Sequence, residues 1–302
     1  MKKILRGIAI GAGVLLGAIV LAAAGVYGAS ERHLSRRYTM AAETIPIPSD
    51  SASIERGRHL FRAVAKCAAC HSETLGGGAV VDDPAMGRII AVNLTRGKGG
   101  VAPQLKDDDW VRAIRHGVGH DGRPLMIMPS LEFQHLSAAD VGAIVAYAKS
   151  VPPVDNEQPA SSLGPVARAL VAAGKMPLFA AEQVDHASLA PVTSPAPGAT
   201  AEYGDYIVHV GGCAACHGPT LAGGHIAVGP PSWPPAANLT PTGLVAYDEA
   251  AFTTALRTGV RPGGTKIKPP MPVEWTRFMT DDEIKAVWLY LKTVPPREFG
   301  AR

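Results

Sequence analysis

The sequence predicts an all-α chain in which an N-terminal transmembrane helix precedes two tandem copies of one helical domain. Three observations carry this. The stretch from Gly7 to Ser30 holds no charged residue. The string Cys-Ala-Ala-Cys-His occurs at 67–71 and again at 213–217. Each copy is followed, in the same order, by amphipathic stretches bounded by helix-start and helix-stop residues. With 302 residues, 47% hydrophobic and 18% charged, the chain is long and apolar enough for two cores. A formal charge of +3, with no basic stripe carrying interleaved aromatics, excludes a nucleic-acid footprint. All four cysteines lie in the repeated strings, which excludes a disulfide-stapled scaffold.

Residues 1–35 read as a membrane anchor. As a helix the uncharged stretch spans about 36 Å, against a bilayer core of about 30 Å. Lys2, Lys3 and Arg6 precede it and Arg32, Arg36 and Arg37 follow it, so charge bias does not orient it. Ala22-Ala23-Ala24 resembles a cleavage site, but the apolar run exceeds the roughly 7–15 residues of a signal peptide, and the segment reads as uncleaved. Gly7/Gly11 and Gly13/Gly17 have the spacing of helix-dimer motifs, which glycine-rich membrane helices also show without dimerising.

The repeat defines domain 1 as residues 50–153 and domain 2 as 201–297. Ahead of the cysteine strings, Arg56-Gly57 and Tyr203-Gly204 stand in opening helices whose glycines permit a close helix crossing. After each string come Leu75 and Leu221, then Gly77-Gly78 and Gly223-Gly224, then Pro84 and Pro230. Asn93-Leu94-Thr95 answers Asn238-Leu239-Thr240, and the helix ending at Gly117 answers the one ending at Gly259. Met128-Pro129 answers Met271-Pro272. Capping boxes Ser137/Asp140 and Thr280/Glu283 then open closing helices that carry Tyr147 and Tyr290 and stop before proline pairs. The linker, 154–200, is rich in Pro, Ala and Ser. It offers two helical turns from Pro165 and an extended spacer over Pro191 to Pro197, and its Asp185-His186 pair reads as solvated surface.

Cys67, Cys70 and His71, like Cys213, Cys216 and His217, place two thiols and an imidazole on one turn. That arrangement suits thioether links to haem vinyl groups and an axial bond to the same iron. A redox CxxC expects a βαβ setting, which is absent, and zinc needs four closing ligands. The second axial ligands are expected from Met128 and Met271, matched in register and followed by proline. Met126 is the rival in domain 1; Met279 aligns with Leu136 and reads as core. His/Met ligation fills both axial positions and raises the potential.

On the two CAACH strings, the NLT segments, the Met-Pro turns and the tyrosine-bearing closing helices, residues 50–297 resemble the class I cytochrome c family, as a tandem dihaem member. More specifically the chain is similar to membrane-anchored dihaem cytochromes and to cytochrome subunits of periplasmic dehydrogenases. The resemblance implies an all-α wrap around each of two covalently bound haem c groups. It implies that the carbonyls of Pro84 and Pro230 accept the axial His Nδ1–H. It also implies haem domains in the periplasm, held at the bacterial inner membrane with Lys2, Lys3 and Arg6 on the cytoplasmic side.

The favoured reading is an electron carrier and not an enzyme, passing single electrons between a redox-protein donor and acceptor. The alternatives are an electron-accepting subunit of a dehydrogenase complex, or a dihaem enzyme with one open iron. An enzyme would need acid–base groups above that iron. His116, His120 and His135, with Arg112, Arg115 and Arg123, are the candidates, and they otherwise read as the solvated edge of a helix and loop.

Overall fold

The computed structural model describes residues 2–41, 43–189, 192–226, 229–230 and 232–301. Helix α1, Lys2–Ser35, is the one helix among the described residues long and apolar enough to cross a membrane, by length and composition. Its apolar side chains from Ile4 to Leu21 stand exposed. Near its C-terminal end Ser30 is buried, and Arg168 stacks over the Tyr27 ring at 4.1 Å while donating to Ser30 Oγ and Glu31.

Domain 1 opens with α2, Ser51–His59, capped by Asp50, whose side chain accepts from the Ser53 N–H. It continues as a wider turn over Leu60–Val64, where Ala65 N–H reaches back five residues to the Leu60 carbonyl. The haem-motif turn is α3, Ala68–His71. Next come α4, Asp107–Val111, α5, Ser130–Phe133, and α6, Ala138–Ser150. Helix α6 starts where the sequence places it, with Ser137 Oγ accepting from Asp140 N–H. Domain 2 repeats the helix order, with no sheet among its described residues: α8, Ala201–Val210; α9, Cys213–His217; α10, Glu249–Thr258; α11, Val273–Thr276; α12, Asp281–Leu291. Both halves of the Thr280/Glu283 capping box form.

In each domain the opening and closing helices cross at glycine. A Cβ at Gly57 would overlap the Ala143 carbonyl of α6, and one at Gly204 would overlap the Ala286 carbonyl of α12. Ten residues lead from Gly57 to Cys67 and nine from Gly204 to Cys213. The Leu60–Val64 turn absorbs the extra residue, as π-type turns do when a helix gains one position.

The all-α expectation holds for the helix-rich body and fails locally. Strands β1, Gly78–Asp83, and β2, Gly87–Ala91, form an antiparallel hairpin, and β3, Ser162–Leu163, from the linker pairs with β2. The hairpin turn is set by Asp83, whose carboxylate accepts from Ala85 and Met86 N–H. Domain 2 places Pro230, Pro231, Pro234 and Pro235 in the corresponding stretch, and prolines cannot donate to a ladder.

The linker is a packed layer. Helix α7, Pro165–Ala172, starts on its proline as expected. Leu163, Ala167, Val171, Leu178 and Phe179 form a second apolar cluster with Ile89 of domain 1 and Leu34 of α1. The expected spacer begins at Pro191, which lies outside the described residues; 192–197 carries no helix or strand.

The two domains share one core, which joins Leu60 and Phe61 to Ile207 and Ile284. Their junction is polar and pseudo-two-fold. Asp140 accepts two bonds from Arg56 of its own domain, at 3.0 and 3.1 Å, and one from Tyr206 of the other, at 2.6 Å. Glu283, its counterpart, meets Tyr203 of its own domain at 3.5 Å and His59 of the other at 2.8 Å. Burial alone would raise the Glu283 carboxyl. The hydrogen bond and charge of His59, the Thr280 N–H and the Arg56 charge outweigh it and hold the group below its usual 4.5. A carboxyl lowered on folding stabilises fully above its unfolded value and loses that contribution as pH falls through the folded one. Thermal stability is therefore expected to drop on the acid side of about pH 4.5. Glu283→Gln, which keeps the capping box, should cost about 2 kcal/mol at neutral pH and flatten that acid limb, as melts across pH will show.

Candidate haem-attachment and axial-ligand sites

In each copy one helical turn carries the whole motif: His71 N–H bonds the Cys67 carbonyl at 2.9 Å, and α9 runs from Cys213 to His217. All four thiols are unbridged. Burial pushes every one of them up, Cys67 to about 12. A redox CxxC lowers a thiol instead, so these cysteines are not poised as thiolates. Among the described residues no group of three or more His, Cys, Asp or Glu is placed to hold a metal ion, which leaves the zinc reading without its closing ligands.

Each imidazole is tethered through Nδ1. His71 donates to the Val92 carbonyl at 3.0 Å and His217 to the Ala237 carbonyl at 2.7 Å. This corrects the expectation for Pro84 and Pro230. Pro84 lies in the exposed β1–β2 turn, and the Pro230 carbonyl accepts instead from Trp233 N–H. The true acceptors stand immediately before Asn93-Leu94-Thr95 and Asn238-Leu239-Thr240, and those tripeptides hold them. Asn93 accepts from Thr95 N–H and donates to Val154 O; Asn238 accepts from Thr240 N–H and donates to Arg297 O. Leu94 and Leu239 N–H close on the carbonyls of Leu75 and Leu221, each at 2.8 Å. Leu75 and Leu221 both adopt φ 59°, a strained conformation for leucine, kept in both copies. The Gly77 and Gly223 N–H groups return to the carbonyls of His71 and His217. A hydrogen on Nδ1 leaves the lone pair on Nε2, and burial pushes both imidazoles down, toward the neutral form that ligates iron. Two protonated thiols one turn from such an imidazole fit covalent haem attachment.

Met128 and Met271 occupy matching turns. Each carbonyl accepts from the N–H two residues on, in Ser130 and Val273, and each side chain packs against the shared core. Met126, the rival in sequence, packs elsewhere: its backbone bridges to Phe179 and its side chain joins the linker cluster. Met279 is core, 6% exposed.

The histidine–arginine group of domain 1 is not one site: His120, Arg123 and His135 are the exposed edge that the sequence suggests, whereas Arg115 and His116 are buried. Arg115 is 1% exposed and paired with Glu43. His116 Nδ1 faces His186 Nδ1 at 3.0 Å, and burial, with help from His186, Arg115 and Arg112, pushes His116 down to about 4. His186, which sequence reads as solvated, is held by the Ala181 carbonyl and the edge of Tyr38. His120 lines a shallow cavity of about 300 Å³ with Arg37, Tyr38 and Arg112. His135 lies 5.2 Å from the His209 ring of domain 2. Sequence spacing could not show this dispersal, because Glu43 and His186 arrive from distant segments.

Comparison with known proteins agrees with the duplicated motif. Residues 201–295 match the family described as cytochrome c, and residues 52–147 match cytochrome c oxidase, cbb3-type, subunit III. The cytochrome c subunit of alcohol dehydrogenase (quinone) from Gluconacetobacter polyoxogenes is 30% identical over 278 residues, 82% of this chain and 57% of that protein. The fructose dehydrogenase cytochrome subunit of Gluconobacter japonicus is 31% identical over 289 residues, 84% of this chain and 55% of that one. The gluconate 2-dehydrogenase cytochrome c subunit of Pantoea cypripedii is 34% identical over 104 residues, 33% of this chain and 23% of that one. The chain thus spans a little over half the length of the first two relatives.

Proposed function

Since the chain belongs to the cytochrome c family and carries two such domains, we propose that it is a dihaem electron carrier, not a catalytic subunit, anchored by α1 with its domains in the periplasm. The observation that carries this is the twice-built turn in which two unbridged cysteines stand beside an imidazole tethered through Nδ1. Haem c bound at each site supplies a one-electron iron couple. Cys67 and Cys70, and Cys213 and Cys216, provide the thioether sulfurs. His71 and His217 would offer Nε2 to the haem iron, with the Val92 and Ala237 carbonyls fixing ring tautomer and orientation. Met128 and Met271 would offer their thioether sulfurs as the second protein ligands to each iron. With each iron held by two protein ligands, neither site would keep a place for substrate, and the histidines of domain 1 are spread among separate partners.

The relatives favour one setting for this carrier. They are cytochrome subunits of dehydrogenases, so the donor is proposed to be the catalytic subunit of a periplasmic dehydrogenase, and the acceptor a membrane or periplasmic redox partner.

The test is haem per chain, together with the reduced visible spectrum of the solubilised protein with and without carbon monoxide. Two haems and an unchanged spectrum are expected. A carbon monoxide shift in half the haem would mean one open iron and would return catalysis to domain 1.

A further inference from the structure

The residue before the first cysteine differs between the copies although its backbone does not. Lys66 has φ 53° and Gly212, its counterpart, φ 67°. The turn demands a left-handed residue, which glycine adopts freely and lysine does not. A strained residue where the fold's own second copy uses glycine points to work for its side chain. Lys66 Nζ donates to the Val64 carbonyl at 2.7 Å and, across the domain junction, to the Gly211 carbonyl at 2.8 Å. It ties the turn that carries Cys67 to the turn that carries Cys213. Burial pushes this ammonium down, and the Glu132 carboxylate of α5 together with the two accepting carbonyls works against that and favours the charged form. Glu132 covers the same turn: a Cβ at Gly212 would lie 3.2 Å from its Cγ. A side chain at 212 would crowd Glu132, and of the two matching positions Lys66 alone carries an ammonium.

We propose that Lys66 is a positioning residue shared by the two haem sites: fixed between the Val64 and Gly211 carbonyls, its ammonium locks the two attachment turns in register and raises both reduction potentials together. This rests on the dihaem reading. Reduction lowers the charge of each iron centre, and a cation held beside both attachment turns favours the reduced state at both.

Lys66→Gly tests it by giving domain 1 the residue of domain 2, which removes the side chain and relieves the backbone. Lys66→Met keeps the aliphatic stem without the charge, should the glycine variant load haem poorly, and Lys66→Arg keeps the charge. Haem per chain is counted first, then each detergent-solubilised holoprotein is titrated spectroelectrochemically. Both midpoints are expected to fall in the glycine and methionine variants by about a tenfold change in each reduction equilibrium, about 59 mV for one electron, and to stay near the parent values in the arginine variant. Two haems with unmoved midpoints, or a fall confined to one haem, would overturn the assignment. A parent chain with other than two haems would overturn the dihaem reading, and this one with it.

Discussion

Gly204→Ala is expected to cost domain 2 about 3 kcal/mol or more, enough to lower its melting temperature by roughly 15 °C for a domain of about 100 residues. The new Cβ would overlap the Ala286 carbonyl, and the Tyr290 side chain lies 2.8 Å from the same point. A backbone carbonyl cannot rotate away as a side-chain tip can, so α8 and α12 must separate and the packing of Tyr203, Ile207 and Ile284 between them is lost. Gly57→Ala should do the same to domain 1 through Ala143. Gly198→Ala is the control, because nothing lies within 4 Å of its Cβ position. Circular dichroism melts of the three variants will decide. A melting point for Gly204→Ala close to that of Gly198→Ala would show that the helices do not cross this closely.

Met271→Ala is expected to lower one of the two haem potentials by on the order of 0.1 V, within the roughly 0.8 V that axial ligation commands. It should also open that iron to carbon monoxide, so about half the haem responds. A thioether ligand favours the reduced iron, and a methyl group in its place leaves the position to water or an added ligand. Met279→Ala separates ligation from packing. Met279 is buried in the core beside the start of α12, so its removal should lower stability by about 2–5 kcal/mol while both potentials stay. If the alanine at 279 moves a potential and the alanine at 271 does not, the ligand assignment for domain 2 is wrong.

The elements marked by side-chain chemistry were legible in the sequence. Ser137 and Thr280 cap the helices their spacing announces, Pro165 begins α7, and the cysteine strings fall on single turns. What escaped is backbone-borne. The acceptors for the axial imidazoles are carbonyls of Val92 and Ala237, whose side chains carry no signal; only the repeated Asn-Leu-Thr beside them did, and its bracing role needs the fold to be seen. The prolines were the wrong landmark because Pro84 lies in the exposed β1–β2 turn, whereas the carbonyl that reaches His71 is that of Val92, beside the braced Asn93. The sheet escaped because β3 is two linker residues paired to a strand more than seventy positions earlier. His116 and His186 escaped for the same reason, since burial was created by the linker folding back. The wider turn at Leu60–Val64 was readable in principle, as the one-residue difference in spacing between the copies.

The pseudo-two-fold junction has a consequence for how the two halves diverge. In a true homodimer every substitution appears twice, so the two sites must change together. A covalent tandem lifts that constraint, and the linker keeps the partners at an effective concentration that two separate chains would lack. This junction shows the freedom in use. Where one half places Arg56 and His59, the other places Tyr203 and Tyr206, and where one places Lys66 the other places Gly212. Fusion turns a symmetric pair into a polarised one, with a distinguishable first and second site, which gives a one-way relay something to act on.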